Sequence, residues 1–376
     1  MSRLVKILSG LIIVLAIAAL YVLNPRLPTP AGEQSAALYE PGTLGVSRQP
    51  IEWVDASRQT NRNGDFAGSA TRELNGFIWY PQTRAQEPFP LIVYSHGFMS
   101  SVSEADYLVD FLVPKGYVVV AVDYPLSHGG APGGPNVNDV INQPGDVSFA
   151  LDQLLARNAD ENDNLYGLLD PSRIAAVGLS LGGLTTQLAA YHRDLRDSRL
   201  SVAVSIAGPS VFLEPRFFET SDIPFMMIAG SADAIVPYEA NAAPIPAKSK
   251  SGLLVTLDKG THVGFASVAS VLLRWFRHPD QLVCPMLLGG LDREGSEGET
   301  ILALDRDIGI STDVSQPCTM DTFDRAMRPA EQQMLTRLAL YAFLEQAFAP
   351  DAARRQQMAG YLSIGLAAEN PAATIK

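Results

Sequence analysis

The stretch IAAVGLSLGGLTTQLAA, which runs from Ile174 to Ala190, decides the fold. A short apolar run leads into a cluster of glycines around Ser180, and a second apolar segment follows it. Glycine is unfavourable inside a strand or a helix because it adds backbone entropy to the unfolded chain and contributes no packing. Gly178 and Gly182 therefore predict a tight strand-to-helix turn, at which larger side chains would collide.

A serine at the tip of such a turn is a candidate nucleophile. The turn holds the residue in strained backbone geometry, with its Oγ exposed above the sheet. The helix that begins at Leu181 directs its positive N-terminal end at the same point, which favours developing negative charge. An ordinary glycine-rich turn is the alternative, because a five-residue glycine pattern also occurs by chance.

A serine hydroxyl becomes a good nucleophile only beside a base, and the base needs an acid to orient it. His262 alone among the five histidines follows the last predicted strand, where the order serine, acid, histidine along the chain requires the base. Asp233 follows the preceding strand and is the predicted acid. Asp222 and Asp258 are weaker candidates, because one lies before that strand and the other ends the next.

Backbone N–H groups are needed to hold the oxyanion that forms during acyl transfer. One is predicted at Leu181, directly after the nucleophile, and another at Phe98 in the loop HGFMSS. His96 begins this loop and is predicted to brace it rather than to act as a second base. The segment from Ser127 to Pro144 follows another strand, and it forms either one wall of the substrate pocket or a plain solvent loop.

The wider pattern is that of a sheet covered by helices. Eight strands are predicted between residues 46 and 258, and most of the later ones are short apolar runs typical of parallel strands buried on both faces. Segments with helical spacing lie between them, including those that start at Glu104 and Pro144. The alternation predicts an α/β fold with a mostly parallel eight-stranded sheet and helices on both faces.

Composition divides the chain into four parts. We predict an N-terminal signal anchor or signal peptide (1–24), a linker rich in Pro, Gly and Ala (25–45), a catalytic body (46–350) and a C-terminal tail (351–376). The body contains an insertion, 277–328, with both cysteines. The net charge of -12 argues against a nucleic-acid partner, because such binders usually carry a basic surface.

The N-terminus predicts an extracytoplasmic protein. Arg3 and Lys6 precede an apolar run that ends at Leu23, and residues 4–23 give about 20 positions, enough to cross the hydrocarbon core of a bilayer. The basic residues should stay in the cytoplasm, which places the body in the periplasm or cell envelope. Cys284 and Cys318 suit an oxidising compartment and are predicted to form a disulfide, with two free buried thiols as the alternative. Their spacing is not that of a metal site, and none is predicted.

These motifs resemble the α/β-hydrolase superfamily over roughly residues 46–350. Within this superfamily, the chain resembles the dienelactone-hydrolase-like and platelet-activating-factor-acetylhydrolase-like branch. This resemblance rests on the segments YSHGF from Tyr94, PGDVSFALDQLL from Pro144, DPSRIAAVGLSLGG from Asp170 and CPM…PCTMDTFDR from Cys284. The resemblance implies an extracytoplasmic serine esterase without a cofactor. The chain departs from the pattern at Leu179, where many relatives have histidine, and dienelactone hydrolases use a cysteine nucleophile, so their substrate is not carried over.

The sequence thus predicts a serine hydrolase that cleaves a small-molecule or lipid-like carboxylic ester through an acyl-enzyme, with membrane attachment through its N-terminal segment. A peptidase or acyltransferase with the same three residues is one alternative. A catalytically silent hydrolase fold used for binding or as a scaffold is another, because fold alone does not imply function.

Overall fold

One β-sheet of nine strands forms the centre of the fold. We describe it from a computed structural model, which covers residues 8–16, 28–82, 88–291 and 306–376. The strand order is β1-β2-β4-β3-β5-β6-β7-β8-β9. Neighbours from β4 through β3 to β8 run parallel, whereas β1, β2 and β9 join antiparallel at the two ends. The strands are Val46–Asp55, Arg72–Pro81, Phe89–Ser95, Val118–Asp123, Leu169–Leu179, Val202–Ile206, Phe225–Gly230, Gly252–Leu257 and Ala373–Ile375.

The sheet confirms the predicted α/β class and its mostly parallel order, but it has one strand more than the predicted eight. The ninth strand, β9, comes from the segment predicted as a C-terminal tail. It pairs antiparallel with β8, and the pairing continues to Lys376, which exchanges two backbone hydrogen bonds of 2.9 Å with Leu254. Three residues are too few to show a strand periodicity, which is why the sequence did not reveal β9.

Helices cover both faces of this sheet. The helices α1 to α11 are residues 8–16, Glu33–Tyr39, Asp106–Leu112, Gln143–Ala159, Leu181–Tyr191, Tyr238–Asn241, Ile245–Lys248, Asp280–Leu291, Pro329–Phe348, Ala352–Gly360 and Leu366–Glu369. Along β5, Ala175 and Val177 pack in one core cluster with α3 and α9, whereas Ile174 and Ala176 pack in a second cluster with α4. Successive strand side chains point to opposite faces. The continuous apolar run of β5 is therefore buried on both sides.

The predicted N-terminal anchor is only partly covered by the structure. Of residues 4–23, positions 4–7 and 17–23 lie outside the described residues, and residues 8–16 are helical. Within the described ranges, no helix is both long enough and apolar enough to cross a membrane.

A buried ionic cluster fastens the segment Ser127–Pro144 to β2. The guanidinium of Arg72 is fully buried and lies 3.0 Å from Asp139 and 2.6 Å from Asp146. Arg58 contributes a second guanidinium, 2.8 Å from Asp146. Asp139 lies within the segment and Asp146 just after it, so the cluster positions this segment beside the carboxyl ends of the strands.

Removing one partner of this cluster is expected to destabilise the fold strongly. An Arg72→Met variant leaves the buried carboxylate of Asp139 without a cation and leaves Asp146 with Arg58 alone. We expect this variant to lower the free energy of unfolding by about 3–5 kcal/mol. Arg193→Met is the matched control, because its ion pair with Asp194 is exposed to water, which screens it, so its loss should change the free energy of unfolding little. Urea unfolding of both variants tests this, and equal losses would contradict it.

Candidate active site

Ser180 occupies a strained turn between β5 and α5. Its backbone dihedrals are φ 57° and ψ −120°, a combination that residues with a side chain rarely adopt. Its N–H donates a hydrogen bond of 2.8 Å to the carbonyl of Ile206 at the end of β6. The turn therefore presents the Ser180 side chain at the carboxyl edge of the parallel strands, where the sequence predicted it.

The glycines around Ser180 allow backbone segments to approach closely. A Cβ atom at Gly178 would lie 2.1 Å from the carbonyl oxygen of Gly182, and one at Gly182 would lie 2.0 Å from that of Ser95. Gly97 is near as well, because a Cβ there would lie 3.3 Å from the Cβ of Ser180. The glycine positions thus bring the turn into contact with the loop that follows β3.

His262 and Asp233 are joined by a side-chain hydrogen bond. The Nδ1 atom of His262 lies 2.8 Å from Oδ2 of Asp233, in the loops after β8 and β7. Oδ1 of Asp233 accepts the N–H groups of Ile235 and Val236 at 2.9 and 2.7 Å, which fixes the carboxylate. Since the carboxylate accepts from Nδ1–H, the Nε2 atom of neutral His262 is free to accept a proton.

The alternative acids lie elsewhere. Asp222 precedes β7, and Asp258 lies after β8, where it accepts a hydrogen bond from Ser231. In the described part of the chain, Ser180 and His262 are not joined by a hydrogen bond. The structure therefore brings Asp233 and His262 into direct contact, and places Ser180 on the same edge of the sheet.

The environment of His262 favours its charged form. Burial lowers the pKa of this histidine, but the carboxylates of Asp233, Asp280 and Glu104 outweigh burial, and the pKa is raised above its usual value. Asp233 is the nearest of the three and contributes through both its charge and its hydrogen bond. The imidazolium that forms when His262 accepts a proton is therefore stabilised by its surroundings.

The loop after β3 is held on both sides of Phe98. The N–H of Gly97 donates to Glu104 Oε1 at 2.9 Å, and the N–H of Met99 donates to the carbonyl of Ser127 at 2.9 Å. The N–H groups of Phe98 and Leu181 donate to no acceptor in the described part of the chain. Both predicted donors thus remain available to a ligand.

His96 forms two hydrogen bonds within this region. Its Nδ1 donates to the carbonyl of Gly97 at 2.8 Å, and its Nε2 accepts the N–H of Tyr124 at 3.0 Å. Burial lowers the pKa of His96 to about 4, so it is neutral at physiological pH. The remaining histidines interact with backbone groups: His128 with Gly130, His192 with Asp194, and His278 with Ala232.

Sequence reasoning missed two buried carboxyl groups at this site. Glu104 accepts the hydroxyl of Tyr94 and the N–H of Gly97, both at 2.9 Å, and its backbone carbonyl accepts the hydroxyl of Ser267 at 2.7 Å. It thereby connects the loop beside Ser180 to the segment that follows His262. Asp280 contacts the loops of Asp233 and His262. Both residues looked in the sequence like ordinary acidic residues in or near helices, so no signal distinguished them.

The predicted disulfide is present. Cys284 on α8 is bonded to Cys318, which excludes the alternative of two free thiols. The N–H of Cys318 donates to the carbonyl of Ala234, directly after Asp233, at 2.5 Å.

Among the described residues, no group of three or more His, Cys, Asp or Glu could hold a metal ion.

Comparison with models of known protein families gives a match over residues 56–276, more than half of the chain, to the family described as PETase: PET hydrolase-like. The chain belongs to the PET hydrolase-like family. This confirms the resemblance to the α/β-hydrolase superfamily and its serine esterase branch, and it implies an ester hydrolase. No curated protein matches the chain. The PET hydrolase-like match includes Ser180, Asp233 and His262, whereas Asp280 and both cysteines lie beyond it.

Proposed function

We propose that the protein is a serine hydrolase that cleaves carboxylic esters through an acyl-enzyme. Ser180 attacks the ester carbonyl, His262 takes its proton and returns it to the leaving alcohol, and Asp233 orients His262. The N–H groups of Phe98 and Leu181 hold the oxyanion. Water then attacks the acyl group with His262 again as base, which releases the acid and restores Ser180.

The hydrogen bond between His262 and Asp233 is the observation that carries this proposal. It joins two residues from different loops in the geometry that a base and its orienting acid require. Hydrogen bonds between nucleophile and base are often long in unliganded enzymes and tighten once substrate binds. That Ser180 and His262, both among the described residues, are not hydrogen-bonded in the free protein is therefore compatible with the proposed mechanism.

Labelling with a fluorophosphonate tests the nucleophile directly. The full-length chain is treated with the probe, the modified peptide is located by mass spectrometry, and heat-denatured protein serves as the control. We expect one adduct, on Ser180, in the folded protein only. Labelling elsewhere, or equal labelling of denatured protein, would refute the proposed nucleophile.

Turnover of an ester series separates the alternative functions. We would measure hydrolysis of p-nitrophenyl esters from acetate to palmitate, together with an aromatic terephthalate ester suggested by the name of the family. Turnover with labelling supports the esterase, and the preferred acyl group defines the pocket. Labelling without turnover favours a peptidase or an acyltransferase, since the acyl-enzyme then needs another substrate. Neither labelling nor turnover favours the silent scaffold.

The pH profile should report the raised pKa of His262. The base must be neutral to take a proton from Ser180, and carboxylates around His262 hold its pKa above the usual value. We therefore expect kcat/KM to fall on the acid side with a midpoint above about pH 6.5, the usual histidine value. Initial rates between about pH 5 and pH 9 measure this midpoint. An acid limb well below that value would contradict the assigned environment.

We further propose that the body lies outside the cytoplasm and is attached to the membrane through residues 4–23. The basic residues Arg3 and Lys6 before the apolar run support this orientation, and the disulfide supports an oxidising compartment. Cell fractionation with protease protection tests the location, and N-terminal sequencing of the isolated protein shows whether the segment is cleaved.

A further inference from the structure

One buried carboxylate contacts both loops that carry the proposed acid and base. Oδ2 of Asp280 accepts the N–H groups of Ala234 and His262, each at 3.0 Å, and Oδ1 accepts the N–H of Val263 at 2.8 Å. The Asp280 side chain is fully buried. All three donors are backbone groups, so these contacts fix the course of the main chain.

The three backbone donors lie beside the proposed acid and base, so Asp280 can hold both loops in place. Ala234 directly follows Asp233, and His262 itself is one of the other two donors. Closer to the ends of β7 and β8, the Asp233 loop and the His262 loop are already joined, because the N–H of Ala232 donates to the carbonyl of Gly260 at 2.9 Å. Asp280 adds the connection at the reacting end, where the side chains of Asp233 and His262 meet.

The charge of Asp280 acts on the same pair. Burial and then the nearby carboxylate of Asp233 raise the pKa of Asp280; His262 and the backbone donors oppose this rise, but the pKa stays above its usual value. The titratable groups that face His262 are Asp233, Asp280 and Glu104, and each raises the pKa of the imidazole. Asp280 thus combines a geometric and an electrostatic effect on one histidine, without direct contact to its ring nitrogens.

We propose that Asp280 is a positioning residue that holds the Asp233 loop and the His262 loop in register for proton transfer. This inference rests on the proposed function for its effect on rate, but the geometry it describes can be measured without turnover. Asp280 begins α8 and lies outside the residues 56–276 matched by the family, so the contact comes from a part of this chain beyond the family match.

Asp280→Asn and Asp280→Ala test the rate effect. Asparagine keeps the shape but offers one acceptor oxygen, whereas alanine leaves all three N–H groups without their partner. Because a displacement of about 1 Å can cost about 100-fold in rate, we expect kcat of Asp280→Ala to fall about 100-fold. Asp280→Asn should lie between it and the wild type. KM should remain unchanged, since Asp280 is proposed to act through the loops and not on the substrate.

Asp324→Asn is the matched control, because it makes the same chemical change on an exposed aspartate of the same insertion. It should retain the wild-type kcat and KM. Unchanged kcat in Asp280→Ala, or a loss carried by KM alone, would overturn the proposal. If Asp280→Ala does not fold, as judged by its thermal transition, the Asp280→Asn variant decides.

Histidine NMR separates failure of this inference from failure of the proposed function. In the wild type we expect a low-field Nδ1 proton resonance from the bond between His262 and Asp233. In Asp280→Asn the pKa of His262 should fall, and in Asp280→Ala the low-field resonance should broaden or disappear. An unchanged pKa and resonance would refute the positioning role even if the enzyme is active. The expected changes in a protein without turnover would support the positioning role while the proposed function fails.

Discussion

A Ser180→Ala variant is expected to lose about 10⁶-fold in kcat for ester hydrolysis, because the methyl group cannot attack and no acyl-enzyme forms. The fold should tolerate the change. Alanine carries the same Cβ as serine at φ 57°, so the strain of the turn is unchanged. The residual rate would come from the oxyanion donors and from substrate binding alone. Initial rates with the best ester of the series, together with thermal unfolding, measure both effects.

Ser148→Ala on α4 is the matched control for this experiment, because it removes a hydroxyl from a half-buried serine away from the β5–α5 turn. It should retain wild-type kcat. Activity of Ser180→Ala within about tenfold of the wild type would contradict a covalent mechanism at this serine, since losses at that level arise without removal of a nucleophile.

Asp233→Asn is expected to lower kcat by about 10⁴-fold while leaving the fold intact. The asparagine oxygen can keep the N–H groups of Ile235 and Val236, which turns its amide NH2 towards His262. The imidazole must then accept at Nδ1 and carry its proton on Nε2, where it can no longer take a proton from Ser180. Measurement of kcat, with the Nδ1 or Nε2 position of the proton read by NMR, tests this reasoning.

The two other aspartates considered from the sequence provide the controls. Asp222→Asn and Asp258→Asn make the same chemical change before β7 and after β8, and both should retain wild-type kcat. If Asp258→Asn were the inactive variant and Asp233→Asn the active one, the assignment of the acid would be wrong.

Most of the fold could be predicted because the parallel strands at the centre of its sheet are buried on both faces. Runs such as Leu91–Tyr94 and Val118–Val122 are continuously apolar, so they stand out in the sequence without any tertiary information. Strand β9 has three residues and acquires its strand conformation from pairing with β8. The three residues alone do not reveal that pairing, and the predicted sheet therefore had eight strands instead of nine.

Three residues of the candidate site could be predicted because each follows a strand, so their order along the chain places them at the same edge of the sheet. Ser180, Asp233 and His262 each follow a strand of the parallel sheet, and parallel strands bring their carboxyl ends to one edge. Asp280 was not predictable, because its partners are backbone N–H groups 46, 18 and 17 residues away. Backbone donors look the same at every position in a sequence, so only the folded chain reveals which of them meet a carboxylate.

The disulfide between Cys284 and Cys318 has a consequence for the protein under proteolysis. A single nick at any peptide bond between the two cysteines would leave fragments that remain covalently joined. Such a protein would migrate as one band in electrophoresis without reductant and as two bands with it. The N–H of Ala234 would still donate to Asp280 on the same fragment, and its carbonyl would still accept the N–H of Cys318 from the second fragment. Until its disulfide is reduced, the nicked molecule would therefore keep the second fragment, and with it the contact from Cys318 to Ala234, covalently tethered beside Asp233.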